Sequence, residues 1–415
     1  MRRFFGSWFL VAFMLCIDFY VFQSLRLVSA NLTAKPKWII YFVYWSFTVA
    51  ALVLFLILPN IKTESLPAYL KQYLIPILIG FFIAKLVAAM FLFLDDIRRI
   101  LQWGGVKVAS SFSDKVSYPQ DGITRSVFLT WIGLGFGGGI FSTLLYGFGN
   151  KYKYRIEKIK MKFENLPLAF KGLRVIHISD IHTGSLDDKK AVEKGIQRII
   201  DQKPDLILFT GDLVNNEASE VEVFKEMFSK LQAPLGVYSI LGNHDYGDYK
   251  QWSSKEEKID NLNRLKSSHH EMGWRLLLNE HVVIKKDNDT MALIGVENWS
   301  AKGNFSKYGN LSKAYEGAAI HPFKLLMSHD PSHWEAEVCK DYTDIDLMLS
   351  GHTHGMQFGV EIPGFKWSPV QYMYKQWAGL YENATQKLYI NRGFGFLGYP
   401  GRVGILPEIT LIEMA

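Results

Sequence analysis

Two cysteines in 415 residues, Cys16 and Cys339, leave no disulfide framework to staple this chain. One lies in an apolar run and the other in a polar region, a usage compatible with a reducing compartment. Internal repeats and low-complexity tracts are missing, which excludes a solenoid and a disordered scaffold. A basic stripe with interleaved aromatics is missing too, so no nucleic-acid partner is expected. The net charge of +6 is modest and largely local: Lys151, Lys153, Arg155, Lys158, Lys160 and Lys162 follow directly after the last apolar run.

Hydrophobic residues make up 49% of the chain, but they crowd into the first 150 positions. Four runs, roughly residues 4–27, 38–58, 73–94 and 127–148, each reach the ~20 apolar residues that a bilayer requires. The chain therefore reads as a multi-pass membrane domain over 1–150 and a globular domain over 151–415. Asp18 and Lys85 lie inside spans, where an unpaired charge costs several kcal/mol, so each either finds a partner or snorkels. Gly133, Gly135, Gly137, Gly138 and Gly139 mark the fourth span as one that packs closely inside the bundle. Arg2, Arg3 and the basic cluster after residue 150 place the globular domain in the cytoplasm of a bacterial-type inner membrane. The loop carrying Arg98, Arg99, Lys107, Lys115 and Arg125 argues the other way. Val28-Ser29-Ala30 also resembles a signal cleavage site.

The globular part alternates strand-like and helix-like runs, as an α/β domain with more than one sheet layer does. Chemistry collects at the ends of the strand-like runs. Residues 173–178 are followed by Asp180-Ile181-His182, and 206–209 by Gly211-Asp212. Then come Gly242-Asn243-His244-Asp245, Ser328-His329-Asp330 and Gly351-His352-Thr353-His354-Gly355. Loops at such edges converge on a shared crevice. Asp, Asn and His without thiolate suit Mn, Fe, Zn or similar divalent ions. About seven ligands are too many for one ion and suit two ions sharing a carboxylate. Such a pair, about 3.5–4 Å apart, clamps both oxygens of an in-line displacement at phosphorus.

These five blocks, taken in order, resemble the calcineurin-like metallophosphoesterase signature from about residue 160 to the C-terminus. The resemblance implies a four-layer α/β/β/α sandwich behind the N-terminal transmembrane bundle. It implies Asp180, His182 and His354 on a first metal ion, Asn243, His329 and His352 on a second, and Asp212 bridging. His244 takes the position of the catalytic histidine, and a bridging hydroxide that of the nucleophile. Arg392-Gly393-Phe394-Gly395 and Pro407-Glu408-Ile409 resemble a membrane-anchored branch, some of whose members hydrolyse UDP-2,3-diacylglucosamine of the lipid A pathway. Met356 departs from that branch, which usually has glycine there. The implied function is hydrolysis of a phosphodiester or pyrophosphate in a lipid-linked substrate. A tethered enzyme for a soluble substrate and a non-catalytic metal-binding scaffold are the alternatives.

Other residues read more plainly. His177 belongs to a buried strand, whereas His269, His270, His281 and His321 lie in polar surroundings and are expected at the surface. His333 and Arg392 could contact a substrate phosphate, as could Arg402, but ordinary structural pairing serves each as well. Asp245 is expected to support its neighbours, and Asp187 and Asp188 to cap the next helix. Phe365 to Trp377, with Trp367, Tyr372 and Tyr374, is either a lipid-facing rim or a packed hairpin. Membrane lipids or a lipid-linked phosphoester are the expected partners; no protein partner follows from the sequence.

Overall fold

A computed structural model describes residues 2–57, 67, 70–112, 124–303 and 305–415. Residue 58 of the second expected span, and Lys115, lie outside these. The chain divides into two compact units, Met1–Tyr146 and Gly147–Ala415.

Four helices dominate the first unit: α1 (Arg2–Val28), α2 (Ala34–Ile57), α3 (Ile75–Ser110) and α4 (Val127–Gly147). All four are long and apolar enough to cross a membrane. Asp18 and Lys85 are buried and paired with each other. Thr48 completes the cluster, donating to Asp18 at 3.0 Å and accepting from Lys85 Nζ at 2.8 Å. Pairing, not snorkelling, therefore satisfies both charges. The glycines of α4 divide. Gly133 and Gly137 lie against Ala88 and Ala84 of α3, whereas Gly135, Gly138 and Gly139 face open space. Only one stripe of α4 packs closely, so the expectation that the whole span lies inside the bundle is corrected.

The second unit holds two six-stranded sheets, β1 (Arg155–Met161), β14 (Glu408–Met414), β2 (Arg174–Ile178), β3 (Leu206–Phe209), β4 (Val237–Ser239) and β5 (Arg275–Leu276) forming one in that spatial order. The other runs β12 (Gly379–Asn383), β13 (Gln386–Ile390), β9 (Leu347–Ser350), β8 (Lys324–Met327), β7 (Asp289–Gly295) and β6 (Glu280–Lys286). Strand alternation explains the layering. Leu206 and Leu208 of β3 enter the same cluster as Leu325 and Met327 of β8, which is the interior between the sheets. Ile207 and Phe209 face the other way, against Val192, Ile196 and Ile199 of α5 (Lys189–Ile200). Leu326 and Met348 cover the outer face of the second sheet with Trp334 and Val338. Helix, sheet, sheet and helix follow one another, the expected sandwich.

Because β2, β3 and β4 run parallel, and β7, β8, β9 and β13 do likewise, their C-terminal ends share an edge within each sheet. The basic cluster after residue 150 becomes the start of this unit. Lys151 pairs with Asp187 at 2.6 Å, and Lys160 with Glu413 at 3.1 Å across the β1–β14 ladder. Asp188 caps α5 through the Ala191 amide as expected; Asp187 serves Lys151 and Tyr152 instead. His269 is fully buried, between Phe209 and Trp274. It falls on the inward stripe of α7 (Lys255–Glu271) with Asn261, Leu265 and Ser268, which corrects the surface assignment.

Candidate metal centre

Each parallel strand delivers its block at the first residues beyond the sheet. Five of these residues turn left-handed at once: Asp180 (φ 52°), His182 (φ 49°), Asp212 (φ 61°), His352 (φ 70°) and His354 (φ 50°). That conformation is uncommon outside glycine and marks a turn held by its surroundings. Gly211 (φ 94°) opens the Asp212 turn, and a Cβ there would lie 2.4 Å from the Gly242 nitrogen, so the two loops touch backbone to backbone.

The result is two groups of side chains that could each hold a metal ion: Asp180, His182 and His354, and Asp212, His329 and His352. His354 Nε2 lies 3.1 Å from both Asp180 Oδ1 and His182 Nε2. His329 Nε2 lies 3.2 Å from Asp212 Oδ2 and 4.0 Å from Asp180 Oδ1. Asp212 Oδ2 is also 3.6 Å from His182 Nε2, so this carboxylate faces both groups. Asn243 joins the second group through Oδ1, 2.8 Å from His352 Nδ1.

Hydrogen bonds around the second group decide which ring atoms carry protons. The Thr210 carbonyl can only accept, so His329 Nδ1 donates to it at 2.7 Å and Nε2 is the ring nitrogen that faces inward, towards Asp212 Oδ2. Tyr374 donates its hydroxyl to Asp330 Oδ2 at 3.1 Å, and its oxygen takes His352 Nε2–H at 2.9 Å. His352 Nδ1 is then a lone pair. Asn243 donates Nδ2 to Tyr249, which aims Oδ1 at that lone pair. Two acceptors, His352 Nδ1 and Asn243 Oδ1, thus face each other at 2.8 Å with no proton between them. A cation resolves this contact, and the donor set fits two divalent ions.

Electrostatics agree. Burial holds the His182 imidazole down to about 3, so it stays neutral, as a ligand must. Burial opposes charge on His329 as well, but Asp212 and Asp180 outweigh it and push the ring up to about 10, so without an ion Nε2 keeps a proton facing Asp212 Oδ2, which a metal ion would displace. The carboxyls of Asp180 and Asp212 stay ionised despite full burial, held down mainly by His354 and His329 respectively.

His244 sits at the mouth, half-buried, edge-on to His182 at 5.0 Å between ring centroids. Its Nδ1 donates to the Asn215 carbonyl at 2.8 Å, which leaves Nε2 for a reactant. Its main-chain nitrogen donates to Asp212 Oδ1 at 2.8 Å. Asp245 is buried behind and accepts from the amides of Gly242, Asp212, Leu213 and Val214. It ties two of the loops together, the supporting role expected of it.

Arg392 and His333 are engaged elsewhere. Arg392 is buried between Glu361 and Glu408, and His333 bonds Ser328 at 2.9 Å and Glu337 at 3.0 Å. Arg402 is fully buried and donates to the carbonyls of Arg392, Gly393, Gly395 and His354. Sequence reasoning missed Tyr374 as a support for His352. The aromatic stretch splits, with Tyr374 and Trp377 buried and Phe365 and Tyr372 exposed. Met356 is half exposed and left-handed (φ 53°), in the conformation that suits a glycine.

Comparison with known proteins agrees with this geometry. Residues 1–150 match the family described as probable calcineurin-like phosphoesterase, transmembrane domain, and residues 173–356 match calcineurin-like phosphoesterase. A transmembrane protein with metallophosphoesterase domain from Danio rerio is 28% identical over 269 residues, 63% of this chain and 57% of that protein. The uncharacterized metallophosphoesterase YkuE of Bacillus subtilis is 30% identical over 260 residues, 61% of this chain and 83% of that protein. Phosphodiesterase YaeI of Escherichia coli is 29% identical over 243 residues, 58% of this chain and 82% of that protein. The chain thus spans little more than half the length of the vertebrate relatives it matches, 57% and 56%.

Proposed function

This chain belongs to the calcineurin-like metallophosphoesterase family, and from that premise we propose that it hydrolyses a phosphodiester or pyrophosphate bond in a lipid-linked substrate such as UDP-2,3-diacylglucosamine. In this reading residues 1–150 anchor the enzyme in a bacterial-type inner membrane, and residues 151–415 do the chemistry on its cytoplasmic side. The observation that carries the catalytic half is the pair of facing donor groups with a half-buried histidine at their mouth. The four membrane-crossing helices favour a substrate presented by a bilayer.

Asp180, His182 and His354 would hold one ion, Asn243, His329 and His352 the other, and Asp212 both. When bound, two such ions lower the pKa of water and neutralise charge on the phosphoryl oxygens. Asp212 fixes more than metal: its Oδ1 receives the His244 amide and so sets that ring over the site. With Nδ1–H anchored on Asn215, His244 presents Nε2 alone, and a proton held there passes to the departing oxygen as the P–O bond breaks.

The test uses the purified full chain in lipid nanodiscs supplied with Mn²⁺. Hydrolysis of UDP-2,3-diacylglucosamine is compared with that of a water-soluble phosphodiester, for the wild type and for Asp212→Asn and His244→Ala. The proposal expects preference for the lipid substrate and loss of activity in both variants, about 10²–10⁴-fold for His244→Ala. Equal rates on both substrates would defeat the lipid reading. Activity that survives both substitutions would defeat catalysis at this site.

A further inference from the structure

We infer that a two-stranded hairpin beside the proposed metal ligands, β10 (Val360–Ile362) and β11 (Phe365–Trp367), is a docking element that rests its outer face in the interface of an anionic bilayer. The argument begins with register. Val360 lies opposite Trp367, Ile362 opposite Phe365, and Glu361 opposite Lys366. Directly opposed residues share a face, so Val360, Ile362, Phe365 and Trp367 form one face and Glu361 and Lys366 the other. In a water-facing hairpin the apolar face turns to the core. Here the order is inverted. Glu361 reaches back to Arg392, and Lys366 Nζ donates inward to the Ala378 carbonyl at 2.6 Å. The apolar face is left outside, with Val360 43%, Ile362 58% and Phe365 55% exposed.

The patch continues onto the loops that carry the proposed ligands. Met356 follows His354 by two residues, and Tyr372 and Met373 precede the Tyr374 that bonds His352. All three are exposed. Contiguous exposed apolar surface of this kind marks an interaction site.

Three features commit the occupant to lipid. The chain carries four membrane-crossing helices of its own, so a bilayer is always within reach and docking becomes an intramolecular event. Trp, Tyr and Phe beside aliphatic residues suit the water–lipid boundary, where an amphipathic ring can sit half wet. Charge fits as well. From Gly355 to Ala378 the one acidic residue is Glu361, turned inward on Arg392, while Lys366 Nζ is held inward by Ala378 and the exposed Lys375 is paired with Glu335. Within this stretch no acidic residue faces outward to repel anionic headgroups.

The experiment reads depth rather than turnover, so it stands or falls separately from the proposed hydrolysis. Cys16 and Cys339 are replaced by serine, and single cysteines are placed at Ile362→Cys, Phe365→Cys and, independently, Met373→Cys. Ile320→Cys, at an 83% exposed position ahead of β8 and so at its far end from the site, is the reference. Each full-length variant is labelled with an environment-sensitive fluorophore. It is then reconstituted into nanodiscs of phosphatidylcholine and phosphatidylglycerol and quenched by nitroxide-bearing lipid or by aqueous iodide. The expected result is quenching of the hairpin labels by the lipid nitroxide, with iodide quenching roughly threefold weaker than at residue 320, as for a face sunk into the headgroup boundary. Hairpin labels as open to iodide as the reference overturn the inference. Protection from both quenchers overturns it as well, because protein rather than lipid then covers the face. A misfolded hairpin variant leaves Met373→Cys to decide.

Discussion

Replacing Tyr374 by phenylalanine should weaken one metal ion and spare the other. The ring is buried with Val370, Trp377, Ala378 and Ile405, and phenylalanine keeps that packing. Only the oxygen is lost, together with the bond it accepts from His352 Nε2 at 2.9 Å and the bond it gives Asp330 at 3.1 Å. Asp330 Oδ2 is 3.4 Å from His352 Nε2 and takes up part of the loss. Two buried hydrogen bonds at about 1 kcal/mol each, less this compensation, leave a net cost of about 1–2 kcal/mol. The affinity for an ion on Asn243, His329 and His352 then falls roughly five- to thirtyfold, close to the range known for groups that orient a ligand. The ion on Asp180, His182 and His354 makes no contact with Tyr374 and keeps its affinity. Mn²⁺ titration of the metal-free full chain against a competing chelator, followed by electron paramagnetic resonance, resolves the two steps. Unchanged affinity at both steps, or equal weakening of both, would refute the assigned geometry.

Gly351→Ala would place a Cβ 1.9 Å from Ser179 Oγ and 2.2 Å from Asp180 Oδ2, so Asp180 must move. Loss of about 1–3 kcal/mol is expected from the overpacking, with loss of the first ion, read from melting curves with and without Mn²⁺. Asp245→Ala strands four buried amides, and at 1–3 kcal/mol for each unsatisfied donor it should drop the melting temperature by at least about 5 °C; a smaller drop would mean that water replaces the carboxylate. His269→Phe tests acid stability. Burial lowers this ring from 6.5 to about 3. Below pH 6.5 the unfolded chain therefore binds a proton that the folded chain refuses, and stability falls as pH drops towards 3. The slope is about 1.4 kcal/mol per unit, or about 3 kcal/mol lost by pH 4.5. The phenylalanine variant should lose less stability than wild type between pH 7 and 4.5, and equal losses in the two melting series would exclude this ring as the cause.

The donor residues are legible because they come in short strings, each tied to the end of one strand, and local strings survive without an alignment. What could not be read is what depends on distant pairing. The basic cluster reads as a membrane-side anchor and does not announce β1, because its partner strand, β14, lies at the other end of the chain. Asp18 and Lys85 are 67 residues apart, and no local pattern says whether they meet. Tyr374 comes 22 residues after His352 in an aromatic stretch whose members point to opposite sides. His269 was misjudged from its polar neighbours, because helix phase rather than local polarity decides which side is buried. Short or polar edge strands such as β5, β6, β10 and β12 lack the apolar runs that betray the central ones.

The backbone at the centre explains why local strings were enough. Aspartate and histidine are among the few residues besides glycine that enter the left-handed region readily, so the residue types that offer metal lone pairs also tolerate the turn that presents them. The strain of five such residues is shared by bonds between neighbouring loops. Asp180 N donates to the Gly211 carbonyl at 2.9 Å, His182 N to Asp212 at 3.1 Å, and Gly351 N to His329 at 3.0 Å. Asp180 in turn receives the His352 amide, and Asp212 that of His244. The two carboxylates nearest the proposed ions are therefore also the ties that lock one loop to the next. A substitution at Asp180 or Asp212 removes charge and bracing together, as one at His329 removes its bond to the Thr210 carbonyl, whereas Asn243 changes the donor set and Tyr374 the support of His352 while leaving the loop ties in place. Ligand removal and loop disorder can therefore be separated at Asn243 and Tyr374.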